Sequence, residues 1–239
     1  DDAREYVVVH NAIAGRLEKT VVDALEMDPT KIKNLKLTGK INTDDYYFMR
    51  DKMTSLQRIN LKEVESLIDG VYQIPSSAFS GKKTLVKCVL PDKLERIEES
   101  SFYNTALTGT LLLPEGLKYV SGFSITKITN VHFPSTLEEI GPLAFTCCSS
   151  LMCEISFPES LLSIGEDAFY DSGILGNLVL PRNLESIGGR AFCYCNSLTN
   201  VTIGDSVTTI GTYAFQDCIS LTSVTIPDSV TTIGYAAFY

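Results

Sequence analysis

The sequence repeats itself about every 23 residues, and this period limits the possible folds more than any other feature. The copy that ends the chain reads LTSVTIPDSVTTIGYAAF, from Leu221 to Phe238. A phenylalanine closes each regular copy, and the closing residues are Phe79, Phe102, Phe123, Phe145, Phe169, Phe192, Phe215 and Phe238. Their spacings, in chain order, are 23, 21, 22, 24, 23, 23 and 23 residues. A period of this length predicts a solenoid in which every copy forms one turn.

Each copy is typical of two short extended segments joined by a turn. The runs VTI and VTTI are rich in β-branched residues, which favour strands. A proline or glycine follows the first run, and these residues are Pro91, Pro114, Pro134, Pro158, Pro181, Gly204 and Pro227. Proline ends a strand because it cannot donate a hydrogen bond to its neighbour. One copy buries too few apolar side chains to fold alone, so we expect the copies to stack into an elongated, curved rod.

The repeats also resemble a known family. The segments LPRNLESIGGRAFCYCNSL, IGDSVTTIGTYAFQDCISL and IPDSVTTIGYAAF are similar to the leucine-rich repeats of the BspA-like family, also described as the Treponema pallidum type. The resemblance covers about Ile32 to Tyr239 and rests on the joint pattern P-x-x-L-x-x-I-G-x-x-A-F. It implies a right-handed leucine-rich repeat solenoid, mainly β with short strands and turns. It also implies an exported or surface-attached bacterial protein that binds host proteins or other cells.

The chain divides into two parts by this pattern. Residues 1–30 do not follow the repeat and predict a small α/β N-terminal cap, with a strand at Tyr6 to Val9 and an amphipathic helix over Arg16 to Met27. The helix would bury Leu17, Val21 and Leu25 on one face. The segment AGRLEKTVVDALE resembles the cap that precedes such repeats in Bacteroides-type proteins. Residues 31–239 predict a solenoid of about nine repeats.

The first repeats diverge from the regular pattern. The segments IKNLKL and LQRINL begin two early turns, and TDDYYFMRDKM between them predicts a short helix. Thr43 is the expected N-cap of this helix, with Asp44 and Asp45 in its first turn. The insertion over residues 62–78 is expected to bulge from one side of the solenoid.

The seven cysteines follow the repeat more than any disulfide or metal pattern. Cys148, Cys195 and Cys218 each stand three residues after a closing phenylalanine, where other copies have Thr105 and Ser172. Such a position suits a small, buried, weakly polar side chain, so we predict free structural thiols. The other cysteines are Cys88, Cys147, Cys153 and Cys193. Their spacing fits neither a zinc site nor a redox C-x-x-C motif.

Charge and hydropathy exclude several classes of partner. The formal net charge of −9 argues against nucleic acid and anionic membranes, which attract clustered Lys and Arg. No apolar run approaches the roughly 20 residues of a membrane-spanning helix. The chain starts at Asp1 without Met, which fits a mature exported protein whose leader was removed or a sequence trimmed by design.

No catalytic constellation stands out from the repeats. The carboxylate pairs Asp44–Asp45, Glu98–Glu99 and Glu138–Glu139 are expected in turns or on the surface. No phosphate loop, G-x-S-x-G or H-E-x-x-H motif is present. We therefore expect no enzymatic activity, no cofactor and no metal.

The candidate binding residues come from the register of the first strands, which we expect to form a continuous sheet on the concave side. One outward column is Asn34, Arg58, Lys87, Thr110, Asn130, Glu154, Asn177, Asn200 and Ser223. The next is Lys36, Asn60, Val89, Leu112, His132, Ser156, Val179, Thr202 and Thr225. Cations and apolar residues gather in the N-terminal half. The candidate ligand-binding residues are Lys36, Arg58, Asn60, Lys87, Val89, Leu112, Asn130, His132 and Glu154.

Three functions fit this surface. The first is an adhesin-like module that binds a protein ligand, and the second is a glycan-binding accessory of a nutrient-uptake system. The chain has no Trp, which favours the first because glycan sites often use exposed Trp platforms. The third is a spacer that extends another domain. The apolar turn before Tyr239 lacks a polar capping segment, so weak self-association through this end is also expected.

Overall fold

A computed structural model describes residues 6–239 of the chain and confirms the predicted β-solenoid. The described part contains strands β1 (Val7–Asn11), β2 (Asn34–Lys40), β3 (Arg58–Glu65), β4 (Leu67–Ile68), β5 (Val71–Ile74), β6 (Lys87–Val89), β7 (Arg96–Ile97), β8 (Thr108–Leu112), β9 (Tyr119–Val120), β10 (Lys127–His132), β11 (Glu139–Ile140), β12 (Ser163–Ile164), β13 (Gly176–Val179), β14 (Ser186–Ile187), β15 (Leu198–Thr202), β16 (Thr209–Ile210), β17 (Ser223–Thr225) and β18 (Thr232–Ile233). The helices are α1 (Leu17–Lys19), a π-helical turn (Thr20–Ala24), a 3-10 turn (Pro29–Lys31) and α2 (Thr43–Asp51).

The strands form two columns along the solenoid, and the column expected to be continuous is the broken one. The first strands of the turns form three separate parallel groups, β1-β2-β3-β6, β8-β10 and β13-β15-β17. The second strands form one nine-stranded sheet from β4 to β18. Both breaks lie at turns whose phenylalanine spacing is 21, 22 or 24 residues instead of 23. Unequal turns shift neighbouring first strands out of register, so their hydrogen bonds are lost.

The closing phenylalanines form a column through the centre of the solenoid. From Phe79 to Phe238 each ring stacks on the next, with centroids 4.9 to 5.6 Å apart. Tyr46 of α2 starts the column, edge-on to Phe79 at 5.7 Å. Phe123, which lies in the divergent segment Gly122 to Ser124, is fully buried and keeps its place. The fixed period thus puts one aromatic ring at the same level of every turn.

The N-terminal cap differs from the amphipathic helix predicted over Arg16 to Met27. Strand β1 confirms the predicted strand and pairs in parallel with β2, so the first column of strands begins in the cap. Leu17 and Val21 are buried, whereas Leu25 is 44% exposed. The backbone N–H of Leu25 donates to Thr20 O, which makes a wider π-helical turn. The extra residue in this turn rotates Leu25 away from the buried face. Residues 1–5 of the predicted cap lie outside the described residues.

Helix α2 confirms the short helix, but its N-cap is Asn42 instead of Thr43. The predicted surface position of Asp45 is also wrong, because this residue is 2% exposed. The carboxylate of Asp45 accepts hydrogen bonds from the backbone N–H groups of Gly15 (2.6 Å), Leu17 (2.8 Å) and Asn42 (3.0 Å). It therefore satisfies donors at the starts of both α1 and α2, which explains its burial.

The insertion over residues 62–78 is built into the sheets. Strand β3 continues to Glu65, and β4 and β5 then form an antiparallel hairpin. Strand β5 pairs in parallel with β7, so the hairpin begins the nine-stranded sheet.

The thiols of the repeated cysteine position each donate to the carbonyl oxygen of a phenylalanine. The Sγ–O distances are 3.2 Å from Cys148 to Phe123, 3.2 Å from Cys195 to Phe169, and 3.1 Å from Cys218 to Phe192. Lys82 occupies the same position after Phe79, and its Nζ donates to Arg50 O (2.9 Å) and Met53 O (2.8 Å) at the end of α2. The position therefore serves to satisfy carbonyl groups of an earlier turn.

All seven thiols are expected to be reduced in the folded protein. The structure contains them as free cysteines. Burial raises the pKa of Cys218 to about 12 and that of Cys193 to about 11, which disfavours the reactive thiolate. Alkylation under denaturing, non-reducing conditions followed by mass measurement should count seven labels. A count lower by two or more would show a disulfide and contradict this assignment.

The last turn leaves part of its apolar side exposed. Ile226 and Ile233 are 42% and 51% exposed, whereas the equivalent Ile203 and Ile210 of the turn before are 3% and 0% exposed. In the described residues no further turn stacks on these side chains.

Candidate functional site

The outward residues of the first strands form what we call the first-strand face, which comprises the two columns deduced from the sequence register. The observed pairing agrees with that register inside each group of strands. It aligns Asn34 with Arg58 and Lys87, Lys36 with Asn60 and Val89, Thr110 with Asn130, Leu112 with His132, Asn177 with Asn200 and Ser223, and Val179 with Thr202 and Thr225. The candidate residues are thus correctly placed in columns, although the breaks divide them into three sets.

The first set of candidates lies on β2, β3 and β6. Lys36 Nζ lies 2.8 Å from Glu63 Oε1, so its charge is partly neutralised. Asn60 Oδ1 accepts from the backbone N–H of Lys62 at 3.0 Å, so this side chain shapes the local backbone. Arg58 and Val89 are half-buried, and Lys87 is exposed. This set presents a cationic surface beside an apolar side chain.

The second set lies on β8 and β10. Leu112 is 67% exposed, which is unusual for a large apolar side chain, and His132 beside it is also exposed. The side chain of Asn130 accepts from the backbone N–H of Val131 at 2.8 Å. Glu154 lies beyond the second break, and only the bridge between Ser156 and Val179 links its segment to the next turn. The structure therefore separates Glu154 from the other candidates.

A cavity of about 790 Å³ lies between β6 and β8, and the sequence analysis did not foresee it. The backbone N–H of Thr108 donates to Val86 O at 3.3 Å, which joins the two strands at their N-terminal ends. Beyond this bond the strands pair with β3 and β10 and no longer with each other. Arg58, Lys87, Val89 and Leu112 of the candidate residues line the cavity. The shortened spacing between Phe102 and Phe123 was the signal in the sequence that could have located it.

The carboxylates do not converge on a reactive centre. Glu98 pairs with Arg96 at 2.6 Å, and Glu138 lies 3.5 Å from Lys118. Within residues 6–239 no group of three or more His, Cys, Asp or Glu side chains could hold a metal ion. In the same range no helix has the length and apolar character that crossing a membrane requires. The features suited to recognition are the first-strand face and the cavity within it.

Comparisons with known proteins agree with this architecture. A structure of a leucine-rich repeat protein from Bacteroides ovatus matches with 22% identity and a TM-score of 0.51, covering 99% of this chain and 74% of that one. A leucine rich cell surface protein from Faecalibacterium prausnitzii has 20% identity and a TM-score of 0.38, with 82% and 73% covered. The leucine rich repeat protein of T. pallidum has 20% identity and a TM-score of 0.36, with 98% and 80% covered.

The first of these matches shows a shared fold. No curated protein matches the chain. The family model described as "BspA type Leucine rich repeat region (6 copies)" matches residues 42–148 and 119–239, which together span most of the sequence. The chain therefore belongs to the family of BspA-type leucine-rich repeat proteins.

Proposed function

We propose that the chain is a non-enzymatic binding module of an exported or cell-surface protein, and that it recognises a protein ligand through the N-terminal half of the first-strand face. The observation that carries this proposal is the contrast between the two halves of the face. The N-terminal half combines Arg58, Lys87 and His132 with the apolar Val89 and Leu112. The C-terminal half is small and mostly polar.

Mixed patches of this kind suit protein recognition. Apolar side chains supply a contact that loses water on binding, while surrounding cations steer an oppositely charged partner. The cations stand out because the chain as a whole carries a formal charge of −9. An acidic patch on the ligand is therefore the expected complement.

Family membership supports the remaining parts of the proposal. BspA-type repeats form a binding scaffold, and the described residues show no convergent polar cluster typical of an enzyme. The surface location rests on the same resemblance. Weak self-association through the partly exposed last turn is a separate expectation, which light scattering at increasing concentration would test.

Combined alanine substitution of Arg58, Lys87 and His132 is expected to weaken binding of a protein ligand by about 1–3 kcal/mol. The ligand would come from a panel of host extracellular proteins and polysaccharides, and surface plasmon resonance would measure affinity and rates. The association rate should fall as salt is added, because salt screens steering by the cations.

Alanine substitution of Asn200, Ser223 and Thr225 is the matched control, because these residues occupy the same columns in the C-terminal half. This control should bind as the unmodified chain does. Unchanged binding by the first variant would place the site elsewhere. Binding of polysaccharides alone would favour a glycan-binding role, and failure of the whole panel would favour a spacer.

A further inference from the structure

The cavity between β6 and β8 is a wedge closed at one end. The hydrogen bond from Thr108 N–H to Val86 O holds the strands together there. Towards Val89 and Leu112 the strands separate and each becomes the edge of its own sheet. An added peptide strand could not pair along both edges, because the closed end leaves it no space. The wedge is therefore better suited to a small molecule.

The walls of the cavity are apolar and reachable by water. The wall residues Leu90, Leu107, Leu111 and Leu113 are 6%, 5%, 8% and 7% exposed. At the registers of Leu111 and Leu113 in the C-terminal half, Leu178 and Leu180 are only 1% and 2% exposed. An apolar molecule that covers these walls would be stabilised by the hydrophobic effect.

The rim of the cavity is cationic. Arg58, Lys62 and Lys87 line it, and Asp92 is the one carboxylate among its lining residues, all of which lie in the described part. Lys62 and Lys87 are exposed at the mouth. The local charge is therefore opposite in sign to the net charge of the chain.

We propose that this cavity binds a small anionic amphiphile, with its apolar body between β6 and β8 and its carboxylate beside Lys62 and Lys87. The volume of about 790 Å³ lies within the range of small-molecule sites and accommodates an acyl chain or a fused-ring body. The site shares Lys87 and Val89 with the proposed protein-binding face. It does not depend on a protein ligand, so either proposal can fail alone.

The first test is isothermal titration calorimetry with decanoate and with 1-decanol as the uncharged analogue, both below aggregation. Decanoate should bind saturably at one site. Replacing Leu111→Phe, which directs a ring into the cavity, should weaken this binding at least about tenfold. Replacing Leu178→Phe, at the same register in the closed half, should lower the thermal midpoint and leave decanoate binding intact. Absence of saturable binding, or equal binding by Leu111→Phe, would overturn the proposal.

The second test addresses the anionic group. The double variant Lys62→Met and Lys87→Met should bind decanoate about tenfold more weakly, because a charge-assisted contact is lost, while its binding of decanol stays unchanged. Lys31→Met removes an exposed cation from the 3-10 turn and should have no effect. Equal losses for decanoate and decanol, or no loss for either, would contradict the assigned position of the carboxylate.

A fluorescent reporter locates the site even where a substitution at Leu111 disturbs folding. The chain has no Trp, so a single introduced one gives an unambiguous signal. Val89→Trp places the indole at the cavity, and Val179→Trp places it in the same column of the C-terminal half. Decanoate should shift the emission of the first variant to shorter wavelength and leave the second unchanged. A shift in Val179→Trp alone would refute the site.

Discussion

Replacing Phe192 by alanine is expected to lower the free energy of unfolding by about 3–5 kcal/mol. Phe192 is fully buried between the rings of Phe169 and Phe215, with centroid distances of 5.3 and 5.2 Å. Removing this ring leaves a cavity that the stacked turns cannot close without disturbing their own pairing. The substitution therefore removes contacts on both flanks of one turn.

Phe238→Ala is the matched comparison, and its cost should be clearly smaller. The ring of Phe238 is half-buried and stacks on Phe215 alone, at 5.4 Å. Stability in a solenoid is approximately a sum over turns and their interfaces, so position in the stack sets the penalty. Urea denaturation followed by circular dichroism would measure both. Equal midpoints for the two variants would contradict this nearest-neighbour description.

Gly188→Ala is expected to destabilise the fold by about 3 kcal/mol, at the upper end of what overpacking usually costs. A Cβ at Gly188 would lie 2.5 Å from the carbonyl carbon of Gly165 and 2.6 Å from the backbone nitrogen of Glu166. Both atoms belong to the backbone of the preceding turn. They cannot move freely, because Gly188 N–H donates to Ile164 O at 2.8 Å next to the paired strands β12 and β14.

The neighbouring Gly189→Ala is the control for this effect. Its Cβ would meet Thr212 O at 3.4 Å, which is an ordinary contact. Neither glycine has a positive φ, so backbone strain does not distinguish them. Gly189→Ala should change the unfolding free energy by less than about 1 kcal/mol in either direction. Chemical denaturation of both variants tests this, and similar losses would show that contact with the preceding turn is not the cause.

The sequence predicted what depends directly on the period. The phenylalanine column and the alignment of Arg58 with Lys87 follow from counting residues, because one repeat advances the chain by one turn. The glycine of the I-G pattern was visible in the sequence, but its reason was not. That reason is the close approach of Gly188 to the backbone of Gly165, which appears only when the turns are stacked.

The features that escaped prediction depend on contacts between turns of unequal length. The spacing of 21 residues between Phe102 and Phe123 was plain, yet it did not reveal which pair of strands would separate. The burial of Asp45 depends on two helix starts that meet in space while lying far apart in sequence. The cavity within the candidate site belongs to this class, since its walls come from two turns that fail to pair.

The two breaks in the first column of strands have a mechanical consequence for the whole molecule. On one side, β5 to β18 form an uninterrupted hydrogen-bonded ladder, while on the other the ladder stops beyond Val89 and again before Glu154. Bending a rod concentrates strain where the fewest bonds resist it. The solenoid should therefore flex at these two levels and resist bending elsewhere. A ligand that spans the first break would fix the angle between the turns on either side of it.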